Sequence, residues 1–525
     1  MAGLVIRRAT IADGTGAPAF DGDVRVADGR IAEIARPGEL SGPGVDAEGL
    51  VLSPGFVDMH SHSEARLTDP GFTAKSRQGV TCEVVGQDGL SFAPLDESAS
   101  DGVRGLITGW HGTDVPAWPS VGDYLDHFDT GSRANVCYLV PHGNIRAMAL
   151  GFDARAATAA ELDRMRRLLA DGMRQGAFGM STGLTYVPGM YADKAELTAL
   201  CQTVASFGGF HDTHHRSYGA GALEAYEEMI DVSRRSGCPL HLAHATMNFP
   251  PNRGRAPDLL ALLDAALESG LDLTFDTYPY LAGSTTLAAL LPSWSAAGGP
   301  SAILERLADE GLREKIAHDL EVAGSDGCHG VPVDWDTVEI AGVADERQAW
   351  AVGRTVAALA AERARPPFEV FAGLLRDDRL GTTIRQHVGD EDNVRAIMGH
   401  RAHTAGSDGL YPGAKPHPRA FGTFPRYLGH YVRELGVLSL EDCVAHLSGR
   451  PARRLGLRDR GLVRTGFAAD LVLFDPDTVA DTATYDDPFG APEGIRHVFV
   501  NGVAVLADGE DTDVLPGRAL RHLSR

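Results

Sequence analysis

From about residue 55 to about residue 455, short apolar runs alternate with longer helix-like segments, and that alternation restricts the chain to parallel βα units. Val136–Val140 precedes a helical pattern from Ala159 to Gln175. Phe178-Gly179-Met180 precedes Lys194–Phe207, and Leu240-His241-Leu242 precedes Ala256–Glu268, with Leu273–Asp276 following. About 400 residues of such units fit an α/β fold of the (β/α)8 TIM barrel type. The segment from about 290 to 390 mixes helix-like and loop-like pieces and reads as an insertion in that barrel.

Both ends of the chain have a different texture. Leu4–Ile6, Asp23–Val26 and Arg30–Ile34 near the start are short strands set apart by Gly/Asp turns. Leu471–Phe474 and His497–Val500 near the end are strands too, and Asn501-Gly502 is a hairpin turn signal. Neither set buries a core alone, so residues 1–55 and 456–525 are expected to pair into one small β-sandwich beside a barrel of residues 56–455.

Composition excludes several classes. The 525 residues carry a formal net charge of −23, which argues against a nucleic-acid partner. No run approaches the ~20 apolar residues of a membrane span, and Met1–Ile11 lacks a signal-peptide pattern. The six cysteines form no CxxC pair and read as buried free thiols. A cytoplasmic protein is expected, with no membrane partner.

The chemistry concentrates in Ser53-Pro54-Gly55-Phe56-Val57-Asp58-Met59-His60-Ser61-His62. Side chains two apart on a strand share a face, so His60 and His62 project together at a strand's C-terminal end, where barrel enzymes carry their sites. Two imidazoles on one face suit a divalent transition metal. His214, in Thr213-His214-His215-Arg216, and His244, in His241-Leu242-Ala243-His244, end two further strand-like runs. His211, His215 and His241 read as packing residues or supports. Asp408, in Gly406-Ser407-Asp408-Gly409, is placed after an expected strand at Ala396-Ile397-Met398. The same four letters at Gly324-Ser325-Asp326-Gly327 read as a turn.

The opening run resembles the first strand of the amidohydrolase superfamily, and the motifs that follow resemble the N-acyl-D-amino-acid deacylases within it. These are Gly79-Val80-Thr81, Val84-Val85-Gly86, Gly89-Leu90-Ser91, Gly179–Leu184, Tyr278-Pro279-Tyr280 with Gly283-Ser284-Thr285, Gly406–Gly409, His417-Pro418-Arg419 and Gly422–Arg426. The resemblance covers nearly the whole chain, in order. It implies a metal-dependent hydrolase barrel, one or two Zn²⁺ ions, and a small-molecule amide substrate cleaved to a carboxylic acid and a free amine. His60, His62, His214, His244 and Asp408 match the family's metal residues, with Asp408 also serving as the proton shuttle. Tyr278, Ser284 and Arg419 match its contacts to the substrate carboxylate.

The chain departs from that pattern at two places. Asp88 stands where the family has a metal-binding cysteine; a carboxylate is a harder ligand than a thiolate, and the other reading is a turn cap. Thr246 stands where the family has a lysine that contacts the substrate's carboxylate. The chain has four lysines, at 75, 194, 315 and 415. None is placed to be the carboxylated metal bridge that hydantoinase-like and dihydroorotase-like cyclic-amide hydrolases use. Such an enzyme and a non-catalytic metal-stabilised barrel are the alternatives.

Overall fold

The computed structural model describes residues 3–112 and 116–522. Its centre is a sheet of eight parallel strands in sequence order: β1 (Phe56–Asp58), β2 (Val80–Val85), β3 (Asn135–Pro141), β4 (Gly179–Gly183), β5 (Phe210–His214), β6 (Leu240–Leu242), β7 (Leu273–Thr277) and β8 (His403–Ala405). Backbone hydrogen bonds from Met59 N to Ala405 O (3.1 Å) and from Asp408 N to His60 O (2.8 Å) join β8 back to β1 and close the ring. All of the strand residues except Thr274 are buried, because both faces of the strands are covered.

The helices between the strands follow from local sequence. Helix Ala159–Arg174 begins at a capping box, in which Thr158 and Glu161 satisfy each other's end groups, and it buries Met165, Leu169 and Met173, spaced four apart. Helix Ala222–Ser236 stops at Gly237, whose left-handed backbone (φ 69°) closes its last turn. These faces pack on the barrel strands to form the largest apolar core.

One expected element is reassigned. Ala396-Ile397-Met398 is the end of helix Glu391–Met398, which Asp390 caps by accepting from Asn393 N, and the strand before Asp408 is β8. Three apolar residues in a row suit either periodicity, and the cap with Glu391 and Asp392 in the first turn decides for helix.

The connection from β7 to β8 carries its own antiparallel sheet, with Thr383–His387 between Ala282–Thr286 and Val338–Gly342. A separate apolar core includes Leu287, Leu291, Ile303, Trp335, Phe371 and Ile384. The chain ends pair directly, as the sequence suggests. Val51–Pro54 runs antiparallel to Leu471–Phe474 inside a nine-stranded sheet. That sheet folds over on itself: Ile31 N donates to Phe467 O (2.8 Å) and Ala469 N to Gly29 O (2.9 Å), enclosing Ile6, Ile11, Val24, Leu52 and Leu471. Asn501 and Gly502 both adopt positive φ (50° and 80°), as the tight hairpin requires. All six cysteines are free and buried, and among the described residues no helix is long and apolar enough to cross a membrane.

Candidate metal centre

Five of the eight strands deliver a candidate metal-ligand side chain from their C-terminal ends or the turns that follow: His60 and His62 after β1, Asp88 after β2, His214 at the end of β5, His244 after β6 and Asp408 after β8. All six are buried. Their donor atoms fall into two overlapping groups, one of His60, His62, Asp88 and Asp408, the other of Asp88, His214 and His244, each with its ligand atoms within 4.8 Å of one another.

Asp88 belongs to both. Its Oδ1 lies 3.5 Å from His60 Nε2 and 3.6 Å from both His214 Nδ1 and His244 Nε2, and its Oδ2 lies 3.5 Å from His62 Nε2. Asp408 Oδ1 is 3.3 Å from His62 Nε2 and 3.7 Å from His60 Nε2. The backbone strains to achieve this convergence: Asp88, His244 and Asp408 all have positive φ (55°, 35° and 49°). Such outliers gather at functional sites. The glycine after Asp88 is required by space, since a Cβ on Gly89 would stand 2.7 Å from Gly183 N.

The donor set fits a divalent cation. Both ring nitrogens of His60 and Oδ1 of Asp88 are buried without any hydrogen-bond partner, which is costly unless an ion engages them. Four imidazoles and two carboxylates are the N/O donors that Zn²⁺ takes. The metal-free electrostatics show the same demand for positive charge. Burial lowers the pKa of His60 and His62, but Asp88 and Asp408 outweigh it and hold the two rings at about 10 and about 9. Burial raises the Asp88 carboxyl, and the surrounding histidines, His60 foremost, pull it well below the usual carboxylate range. His214 is dominated by burial and stays neutral.

Supports behind the ligands lock their geometry. Thr185 Oγ1 holds His214 Nε2 at 2.7 Å, leaving Nδ1 to face the centre. Asp276 accepts from the backbone N–H of His244 at 3.0 Å and pairs with His241 Nε2 at 3.0 Å. A Cβ on Gly406 would meet Asp276 at 2.5 Å, so only glycine fits there. Beneath β1, buried Lys75 bonds Asp58 and Ser407, while Ser407 N donates to Asp58 Oδ1 at 2.8 Å. Thus Lys75 is an anchor below the centre, and Lys194 pairs with Asp231 at the surface (3.1 Å). Glu64 and His111 lie behind His62, their ligand atoms within 4.8 Å of its ring nitrogens. His211 bonds Thr182 Oγ1 at 2.9 Å and His215 packs on Tyr218 and Tyr226, both away from the centre. Asp326 caps a turn, accepting from Ser293 N at 2.9 Å.

Thr185, Asp276, Glu64 and His111 escaped the sequence reading. Thr185, Asp276 and His111 act through neighbours distant in sequence, Glu64 stands two residues from His62, and only the Thr182-Gly183-Leu184-Thr185 run at the end of β4 hinted at one of them.

The centre floors a cleft with about 680 Å³ of open space. Asp88, His214, His244 and Asp408 line its base, and Tyr218, Tyr278, Ser284, His329 and Gln386 are among its walls, the last four from the β7–β8 connection. Thr246 also lines it. Arg419 does not line the cleft: it is fully buried, 2.8 Å from Asp408 Oδ2, with its guanidinium 4.4 Å from the Tyr278 ring centroid. Burial raises the Asp408 carboxyl, but Arg419 first and then His62 hold it well below the usual range.

Comparison with known proteins agrees with this geometry. Residues 44–506 match the amidohydrolase family model. The chain is 35% identical to the N-acyl-D-glutamate deacylase of Alcaligenes xylosoxydans xylosoxydans, covering 99% of this chain and 96% of that protein. Among solved structures it is similar to an N-acyl-D-glutamate deacylase from Bordetella bronchiseptica, complexed with zinc and a phosphonate inhibitor that mimics the tetrahedral intermediate of the reaction (TM-score 0.85, 33% identity, 99% of each chain). It is similar as well to a D-aminoacylase whose binuclear metal centre shows one-metal activation and second-metal attenuation (TM-score 0.84, 32% identity, 99% of each chain). With its fold and family model matched over nearly the whole length, the chain belongs to the amidohydrolase family.

Proposed function

We propose that the chain hydrolyses the amide bond of N-acyl-D-amino acids, and that His60, His62, Asp88, His214, His244 and Asp408 hold one or two Zn²⁺ ions for that purpose. The observation that carries this reading is the double role of Asp88, whose carboxylate sits in both ligand groups at the base of a cleft. Relatives named for the deacylation of D-amino acids, similar over their full length, supply the substrate class.

When bound, Zn²⁺ supplies Lewis acidity, lowering the pKa of water toward neutrality and polarising the scissile carbonyl. The chain's own residues do the rest. Asp408 divides its carboxylate: Oδ2 is held by Arg419, and Oδ1 faces His60 and His62. In this position it takes a proton from the attacking water and returns it to the departing amide nitrogen, so that a carboxylic acid and an amine leave. We assign Arg419 to the positioning and ionisation of Asp408. The substrate's amino-acid half then lies against the polar wall of Tyr278, Ser284, His329 and Gln386. Without a lysine at Thr246, a neutral polar surface receives that carboxylate.

The test is release of free amine from a panel of N-acetyl-D-amino acids by metal-loaded enzyme, with hydantoins and L-isomers alongside. Turnover of the D-isomers is expected. Turnover of hydantoins alone would assign the cyclic-amide alternative, and no turnover of any amide would leave a metal-stabilised barrel.

A further inference from the structure

A second cavity abuts the cleft, and Thr185, Tyr186 and Ala289 line both. Its walls include Leu90, Leu106, Trp110, Val187, Leu291 and Ile303, and none of its lining residues is charged. It lies where helix Glu97–His111 and the turn after β4 meet the β7–β8 connection. Tyr186 is the partition between the two spaces. Its ring meets Trp110 edge-on at 4.9 Å, stands 4.9 Å from the His214 ring, and its hydroxyl bonds Thr285 Oγ1 at 2.8 Å. The partition therefore leans directly on a proposed metal ligand.

We propose that this chamber is an acyl-chain site, so that the enzyme is built for N-acyl groups several carbons long rather than for acetyl. The inference rests on the deacylase reading above and deepens it. A scissile amide has two halves. The amino-acid half carries a carboxylate, which is expensive to bury without a charged or well-matched polar partner, and no charged residue lines the chamber. It finds polar partners on the opposite wall, at Tyr278, Ser284, His329 and Gln386. The acyl half is hydrocarbon beyond its carbonyl, and the chamber offers an uncharged, mostly apolar lining beside the centre where that carbonyl reacts. A pocket of this kind discriminates chain length by roughly fourfold per buried methylene.

The experiment compares kcat/KM of the metal-loaded enzyme on N-acetyl-, N-butanoyl- and N-hexanoyl-D-alanine, with N-acetyl-D-norleucine as the counterpart that lengthens the other half. Hexanoyl is expected to exceed acetyl by at least about 10-fold. Ile303→Trp, which fills the chamber, is expected to bring the hexanoyl-to-acetyl ratio down toward one. Calorimetry of hexanoate against acetate on the same holoenzyme gives a readout independent of turnover, with hexanoate expected at least about 10-fold tighter and the gain lost in Ile303→Trp. Hydrolysis of the acetyl compound with no gain from a longer acyl group overturns the chamber and leaves the deacylase reading intact. A gain from norleucine without one from hexanoyl overturns it too, placing the side chain there. If no N-acyl-D-amino acid is hydrolysed, the deacylase reading fails, and calorimetry alone decides the chamber: hexanoate no tighter than acetate refutes it.

Discussion

Asp88→Asn removes one negative charge at nearly constant shape from the point where the two ligand groups meet. Its Oδ1 is 3.5 Å from His60 Nε2, and at an effective dielectric of about 20 that separation corresponds to about 5 kcal/mol between unit charges. The raised pKa of His60 agrees. His60 rises from 6.5 to about 10 against the opposing effect of burial, with Asp88 the largest cause of the rise, and at 1.36 kcal/mol per unit this is again about 5 kcal/mol. Because the folded pKa lies above the unfolded one, this stabilisation is fully present below about pH 6.5 and is lost as pH rises through about 10. Asp88 itself is depressed, so its own contribution is lost only in acid, outside that window. Metal-stripped wild-type protein should therefore lose about 5 kcal/mol of stability between pH 6.5 and 10.5 from His60, with His62 adding in the same direction. The Asn variant should lose less there, because His60 then has only Asp408 and Asp276 to set against burial, while His62 keeps the effect of Asp408. Chemical denaturation of both metal-free proteins at the two pH values gives the comparison. Metal analysis of the holo forms should show the variant weakened at least about 10- to 100-fold. Parallel losses of stability in the two proteins, or unchanged metal affinity, would refute the assignment of Asp88 as the shared ligand.

Asp408→Asn should lower kcat by about 10²- to 10⁴-fold while metal analysis still finds at least one ion on His214, His244 and Asp88; full turnover removes the proposed base. Arg419→Met should raise the Asp408 pKa, so the acid limb of the kcat/KM profile moves to higher pH, since activity is lost as pH falls through that value; an unmoved limb contradicts the pairing. Thr185→Val frees His214 Nε2 and should weaken metal binding about 10-fold by competition with a chelator, with the fold unchanged by circular dichroism. Lys75→Met leaves Asp58 buried without its cation and should cost about 3–5 kcal/mol in denaturant unfolding, and a change under 1 kcal/mol would refute the anchor role.

Much of the arrangement is legible along the chain because it is encoded by local periodicity. The two-residue repeat puts His60 and His62 on one face, the βα alternation implies a barrel, and Asn501-Gly502 marks its hairpin. The miss at Ala396–Met398 shows the limit: a short apolar run is compatible with both periods, and a cap several residues upstream decides. Side-chain partners of high sequence separation are a harder case. Nothing near Arg419 in sequence indicates Asp408 as a partner, and nothing near His214 indicates Thr185, because those contacts form only when strand ends are brought together.

The sequence by itself determined the types of the candidate ligands, their order along the chain and the fold that collects them, since each depends on residues a few positions apart. Only the tertiary structure decided that Asp88 sits between the two ligand groups, that Arg419 is buried on Asp408, and that an apolar chamber opens beside the centre. The reason is closure of the ring: joining β8 to β1 superimposes residues more than 300 positions apart, and the distances that set charge, coordination and space exist only once it has closed.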